Sequence, residues 1–180
     1  MSTTMEAIAS WVAALSEDVE AVKAVLEAED AHREARKLAA AGLCYLVTRL
    51  DLIPDWNETI GVIDDAMVLR VCMDLAAAHP PLPALADPVR VHVGRLANEV
   101  DVIKAFLGPE LFDRLRRHCM RAPDIAVHGH SPSRVVDDVA AREALYADVA
   151  DDLSRVPAPS FTQPEQVEPR LRSYLHHKLQ

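Results

Sequence analysis

Apolar side chains recur along the first part of the chain in alternating steps of four and three residues. They are Ile8, Val12, Leu15, Val19, Val22 and Leu26. This spacing puts all six on one face of an α-helix. We therefore predict a helix over residues 4–28, with Ser16 as a candidate N-cap for a break within it. The pattern leaves two interpretations open: the face packs into the core of the chain, or it forms the seam of a homodimer through residues 8–26.

The rest of the chain continues in helical stripes separated by prolines, glycines and capping residues. We predict Asp30, Asp87 and Ser133 as N-caps and Gly108 as a helix stop. Residues 122–133 lack a helical pattern and are predicted to form a loop. No stretch shows the alternation typical of a strand. The predicted helices cover residues 31–50, 60–78, 88–107 and 134–155, with shorter ones after Pro109 and within 165–180.

This pattern predicts an all-α fold. Residues 31–50 and 60–78 are apolar and separated by a short turn at Pro54, so they should pack as an antiparallel hairpin. We expect a compact bundle of about six helices, residues 1–156, around this central hairpin. Prolines at 157, 159 and 164 then mark a linker, so residues 157–180 form a proline-rich linker and a short C-terminal helix.

Composition narrows the classes of function. Half of the 180 residues are apolar, enough for a core, and the formal net charge is −9. Nucleic-acid binding is not expected, because phosphate recognition needs a basic surface, although a small basic face stays open. The apolar stretches are shorter than the roughly 20 residues of a membrane span or carry charges. The cysteines Cys44, Cys72 and Cys119 are too few and too scattered for a disulfide framework, which favours buried free thiols and a cytoplasmic location.

A motif stands in the turn of the hairpin. It reads Asp-Leu-Ile-Pro-Asp at 51–55 and Gly-x-x-Asp-Asp at 61–65. The segment resembles the YkvA-like family, domain of unknown function 1232, over about residues 36–75, and the resemblance implies a bacterial protein. The positions that match in identity and spacing are Asp51, Pro54, Asp55, Gly61, Asp64 and Asp65.

The motif also departs from the family at polar positions. Arg49 stands where the family usually has proline, and Asn57 and Glu58 replace an apolar residue and a proline. Many relatives look membrane-associated, and these polar replacements argue against that association here.

The aspartates have a structural interpretation. Asp64 and Asp65 fall in the first turn of a predicted helix, where the helix dipole stabilises a carboxylate. Asp51 can accept backbone N–H bonds in the turn. Arg49 and Arg70 are close enough in sequence to serve as counter-charges.

The same aspartates have a functional interpretation if their carboxylates converge. Carboxylate oxygens suit a hard cation such as Mg²⁺ or Ca²⁺. Clustered acids can also raise one another's pKa and provide a general base. This candidate metal site consists of Asp51, Asp55, Asp64 and Asp65.

The histidines supply a weaker metal candidate. His128 and His130 flank a glycine in the predicted loop, near Asp124. Two imidazoles and a carboxylate can hold a transition metal, but loops are rich in polar residues without metals. His32, His79 and His92 are interpreted as surface residues.

No nucleophile with an adjacent base, phosphate-binding glycine loop or zinc-ligand spacing accompanies the motif. We therefore expect a non-enzymatic interaction or scaffold module of the bacterial cytoplasm. We expect no cofactor, and the partner is expected to be another protein or a second copy of this chain. The alternatives are a divalent-cation-dependent enzyme that uses the four aspartates and a peripheral membrane protein.

Overall fold

The computed structural model describes residues 3–48, 62–79, 85–155 and 164–179. These residues are predominantly helical, with a 3₁₀ turn at Ala122–Asp124, short connecting turns and no β-strand among them. The all-α prediction is confirmed. The helices are α1 (Thr3–Ala13), α2 (Leu15–Glu27), α3 (Arg33–Leu46), α4 (Ile63–Ala77), α5 (Asp87–Asn98), α6 (Val100–Leu107), α7 (Pro109–Arg121), α8 (Pro132–Asp137), α9 (Val139–Leu153) and α10 (Pro164–Lys178).

Helices α3 and α4 form the centre of the bundle, and most of their side chains are buried. They run antiparallel, because Tyr45 late in α3 contacts Asp64 early in α4, while Gly42 faces Cys72 further along α4. A methyl group on Gly42 would lie 3.1 Å from the nearest atom of Leu69, so glycine permits this close approach. Within the described ranges, no helix has both the length and the apolar character that crossing a membrane requires.

The N-terminal stripe packs inside the chain. All six of its side chains are buried against the common core, as the core-facing interpretation expects. A homodimer through residues 8–26 stays a prediction, and the burial of this face gives it no support. The predicted helix is interrupted at Ala14, not at Ser16, and no side chain caps the second half.

Asp138 divides the helix predicted over 134–155 into α8 and α9. Its backbone is extended, and its carboxylate accepts hydrogen bonds from the amides of Ala140 and Ala141, as an N-cap does. The loop that was predicted at residues 122–133 is shorter in the structure, because α8 begins at Pro132 and not after Ser133. Val139 is 62 % exposed because the break turns it away from the core.

Two other caps also differ from prediction. His32, not Asp30, caps α3 by accepting a bond from the amide of Glu34. Asp87 lies inside the first turn of α5, and no side chain caps that helix. Gly108 ends α6 as predicted, with a φ of +77°, a conformation that favours glycine.

The C-terminal helix α10 packs on the bundle. Its buried side chains are Val167, Leu171 and Leu175, and Leu179, which directly follows the helix, is buried as well. The Arg172 guanidinium donates a 2.7 Å hydrogen bond to the carbonyl of Phe106 in α6 and lies 5.7 Å from that ring. The predicted linker and the boundary at residue 157 lie outside the described residues.

The three cysteines are free and buried, as predicted. Burial raises the pKa of the Cys44 thiol to about 12, so this thiol stays protonated and unreactive at neutral pH.

Candidate functional site

The structure describes two of the six motif positions. Asp64 and Asp65 lie in the first turn of α4, where the helix dipole favours negative charge, as predicted. The convergence of four carboxylates stays a prediction, because Asp51, Pro54, Asp55 and Gly61 lie outside the described residues.

Asp64 is completely buried between the two central helices. The hydroxyl group of Tyr45 donates a 2.7 Å hydrogen bond to its Oδ2 atom. This hydrogen bond joins the end of α3 to the start of α4. The side chain of Asp64 therefore helps to hold α3 against α4.

The Tyr45 ring also contacts α7. It lies perpendicular to the ring of His118, with centroids 6.1 Å apart and planes at 87°. Burial lowers the pKa of His118, which favours the neutral imidazole at neutral pH. Through Tyr45, the family motif is in contact with the helix that carries His118.

Arg70 does not pair with Asp64 or Asp65, contrary to the prediction. It is fully buried, and it lies six residues after Asp64, about 9 Å further along α4 and on another face. Its Nη2 atom is 2.9 Å from Asp18 Oδ2, and its Nε atom is 2.6 Å from Glu99 Oε2. The counter-charges of Arg70 therefore come from α2 and from the junction of α5 and α6.

These three residues belong to a larger group, here called the ion cluster: Asp18, Arg70, His92, Arg95 and Glu99. The second oxygen of Asp18 lies 2.6 Å from Arg95 Nη2 and 2.8 Å from His92 Nε2. Arg95 also contacts Glu99 at 3.0 Å. The interpretation of His92 as a surface residue was wrong, because its ring is mostly covered within this cluster.

The surroundings of Arg70 shift the pKa of its guanidinium group. Desolvation lowers its pKa, and the negative charges of Asp18 and Glu99 oppose that effect. The guanidinium also lies 4.5 Å from the centre of the Trp11 ring, a favourable cation–π contact. Arg70 is thus held by two carboxylates and an aromatic face in the interior.

Residues 127–130, which carry His128 and His130, form a tight turn that contacts α9. His128 and Gly129 have positive φ angles of 49° and 83°, and the backbones of Val127 and His130 bond to each other. His130 is buried, and its Nε2 atom lies 2.7 Å from Asp148 Oδ2. No three His, Cys, Asp or Glu side chains of the described residues are arranged to hold a metal ion, so the metal hypothesis for His128 and His130 gains no support.

A basic site that the sequence analysis did not single out lies between α7 and α10. This groove, here called the cationic groove, has a volume of about 820 Å³. Four of its residues lie on α7 at positions i, i+3, i+4 and i+7, a stripe that the sequence displays. The residues lining it are Arg114, Arg117, His118, Arg121, Ile125, His176, Lys178 and Leu179.

Comparison with known proteins relates part of the chain to a family. A family model described as "Protein of unknown function (DUF1232)" matches residues 35–70, which are 36 of the 180 residues. Neither a curated protein nor a solved structure matches the chain. The matched segment contains most of α3 and the first half of α4, including Tyr45, Asp64 and Arg70. The resemblance seen in the sequence is confirmed: residues 35–70 of this chain match the model of the DUF1232 family.

Proposed function

We propose that this protein is a non-enzymatic interaction module in which the DUF1232 segment forms the rigid core. One observation carries the proposal: the polar side chains of Asp64 and Arg70 in this segment are fully buried and engaged by other side chains. These side chains connect the helices of the core to one another. The surrounding helices provide the surfaces on which a partner binds.

The buried positions explain why these groups suit a structural role. A catalytic acid or base must come within hydrogen-bonding distance of the proton it moves. The solvent-inaccessible Asp64 accepts its 2.7 Å bond from Tyr45, and Arg70 uses separate nitrogen atoms for Asp18 and Glu99. Buried polar side chains that are paired in this way favour one arrangement of helices, because a shifted helix would leave a buried group without its partner.

The arrangement connects the core to the outer helices. Arg70 ties α4 to α2 through Asp18 and to the α5–α6 junction through Glu99. Tyr45 and His118 link α3 to α7. A module of this design needs no resident cofactor. Three free buried thiols support a reducing compartment, which we propose is the cytoplasm; the bacterial origin stays a prediction from the family resemblance.

Thermal unfolding separates this proposal from a divalent-cation-dependent enzyme. The wild type and Asp64→Asn are each melted with a chelator and with Mg²⁺, Ca²⁺ or Mn²⁺. Asp113→Asn is the matched control, since it removes one exposed carboxylate from α7. We expect Asp64→Asn to lower the melting temperature and the cations to change it in none of the three proteins.

A bound cation would give a different result. At 100 times its dissociation constant it adds about 2.7 kcal/mol of stability by mass action. A cation-dependent rise in the melting temperature of the wild type and of Asp113→Asn, absent in Asp64→Asn, would overturn the proposal in favour of the cation-dependent enzyme.

A further inference from the structure

The cationic groove contrasts with the charge of the whole chain. The formal net charge is −9, yet the residues lining the groove comprise three arginines, one lysine, two histidines and two apolar side chains. None of these described residues is acidic. The fold therefore concentrates positive charge from two helices, α7 and α10, in one depression.

The cations of the groove are mostly unpaired. Some exposed arginines elsewhere have carboxylate partners, as Arg33 has in Asp137 and Arg155 in Asp151, whereas the exposed Arg170 forms no ion pair within the described residues. Arg117, Arg121 and Lys178 form no ion pair within the described residues. Arg114, at the rim shared with a second depression, contacts Glu110 at 2.7 Å.

The side chains present suit phosphate groups. The planar guanidinium donates paired hydrogen bonds that match the geometry of phosphate oxygens. Arg117 and Arg121 are one helical turn apart, so they can hold neighbouring groups of one ligand. The volume of about 820 Å³ lies within the usual range of small-molecule sites, about 300–1,000 Å³.

The wall is not uniformly polar. Ile125 and Leu179 line it beside the cations, and Ile125 is 49 % exposed. His118 reaches the groove from a half-buried position against Tyr45, where it can hydrogen-bond to a ligand without adding charge. The groove thus offers an apolar contact next to its positive side chains.

We propose that the cationic groove binds a small ligand that carries two or more adjacent phosphate groups. The inference deepens the proposed function and rests on it, since it gives the interaction module a ligand. The phosphates belong to a soluble compound or to the headgroup of an anionic lipid, and the experiment has one arm for each source.

The first arm titrates inorganic pyrophosphate into the full chain and measures binding by calorimetry at low ionic strength. Arg117→Gln combined with Arg121→Gln tests the groove. Arg90→Gln combined with Arg155→Gln is the matched control, because it changes the net charge equally at exposed arginines outside the groove. Circular dichroism checks that both variants are folded.

We expect saturable binding to the wild type. The groove variant should bind at least about tenfold more weakly, since each lost charge-assisted hydrogen bond is worth a factor of this order. The control should stay within about twofold, because it removes no contact to the ligand. An equal loss in both variants would mean attraction by overall charge only and would overturn the proposal.

The second arm sediments the protein with vesicles of phosphatidylcholine, with or without cardiolipin, whose headgroup carries two phosphates. Sedimentation that needs cardiolipin and is lost in the groove variant alone assigns the phosphates to a lipid and supports the proposal. Absence of specific binding in both arms overturns it. The cation melts of Asp64→Asn have a separate readout, so failure of the groove and failure of the proposed function are distinguishable.

Discussion

Arginine side chains form two contrasting sites in this molecule. In the ion cluster, Arg70 is fully buried and Arg95 is 40 % exposed, and both contact the carboxylates of Asp18 and Glu99. In the cationic groove, Arg117 and Arg121 are exposed on α7 and have no carboxylate partner within the described residues. One site compensates its charges internally, whereas the other leaves them to face solvent.

The difference follows from solvation. Moving a charge out of water costs several kcal/mol unless a partner of opposite charge and hydrogen bonds replace the water. An exposed cation incurs no such cost, and its ion pairs contribute little to stability. A buried, compensated arginine is thus a structural element, while an exposed, uncompensated group of arginines is available to an anionic ligand.

Breaking the ion cluster should have the largest effect on stability. Arg70→Met removes the cation and leaves Asp18 buried with Arg95 and His92 as its remaining partners. We expect the free energy of unfolding to fall by about 3 kcal/mol, the lower end of the cost for an unpaired buried charge. Urea unfolding measures it.

The double variant Asp18→Leu with Arg70→Met serves as the control. It removes both charges, so its cost should be clearly less than the sum of the two single costs. A loss below about 1 kcal/mol for Arg70→Met would contradict a structural role for the ion cluster.

Removing the tyrosine hydroxyl from the central hairpin should have an intermediate effect. Tyr45→Phe deletes the 2.7 Å hydrogen bond to the buried Asp64. We expect a loss of about 1–3 kcal/mol, the range for depriving a buried polar group of a partner. Chemical denaturation measures it, with Tyr174→Phe as control, because the Tyr174 hydroxyl makes no hydrogen bond within the described structure. Equal losses in the two variants would contradict the prediction.

The cationic groove should have the smallest effect on stability. Arg117→Gln combined with Arg121→Gln removes two exposed charges that lack partners. We expect the free energy of unfolding to stay within about 0.5 kcal/mol of the wild type, as for ordinary surface substitutions. The same denaturation experiment checks this. A loss as large as that of Arg70→Met would show that the groove arginines support the fold and would end the contrast between the two sites.

Much of the fold was predictable because helices repeat locally. The steps of four and three residues correctly predicted which side chains of α1 and α2 face the core. Gly108 and the cysteines also behave as predicted. The resemblance to the YkvA-like family was also visible in the sequence, and the family model matches residues 35–70. The helix breaks were less predictable. The Asp138 carboxylate accepts hydrogen bonds from two backbone amides, and these bonds compete with continuation of the helix. The spacing of apolar residues carries no information about that competition.

The partners of charged residues were decided by the tertiary structure. Asp18 and Arg70 are 52 residues apart in the chain, and Asp18 and Arg95 are 77 apart. The cationic groove likewise needs Arg117 of α7 and Lys178 of α10 on neighbouring surfaces. A helical pattern determines which face of a helix is apolar, because 3.6 residues make one turn whatever the surroundings. It does not determine which helix covers that face, because apolar burial is non-directional, and so the compensation of Arg70 and the exposure of Arg117 arise only when the helices pack.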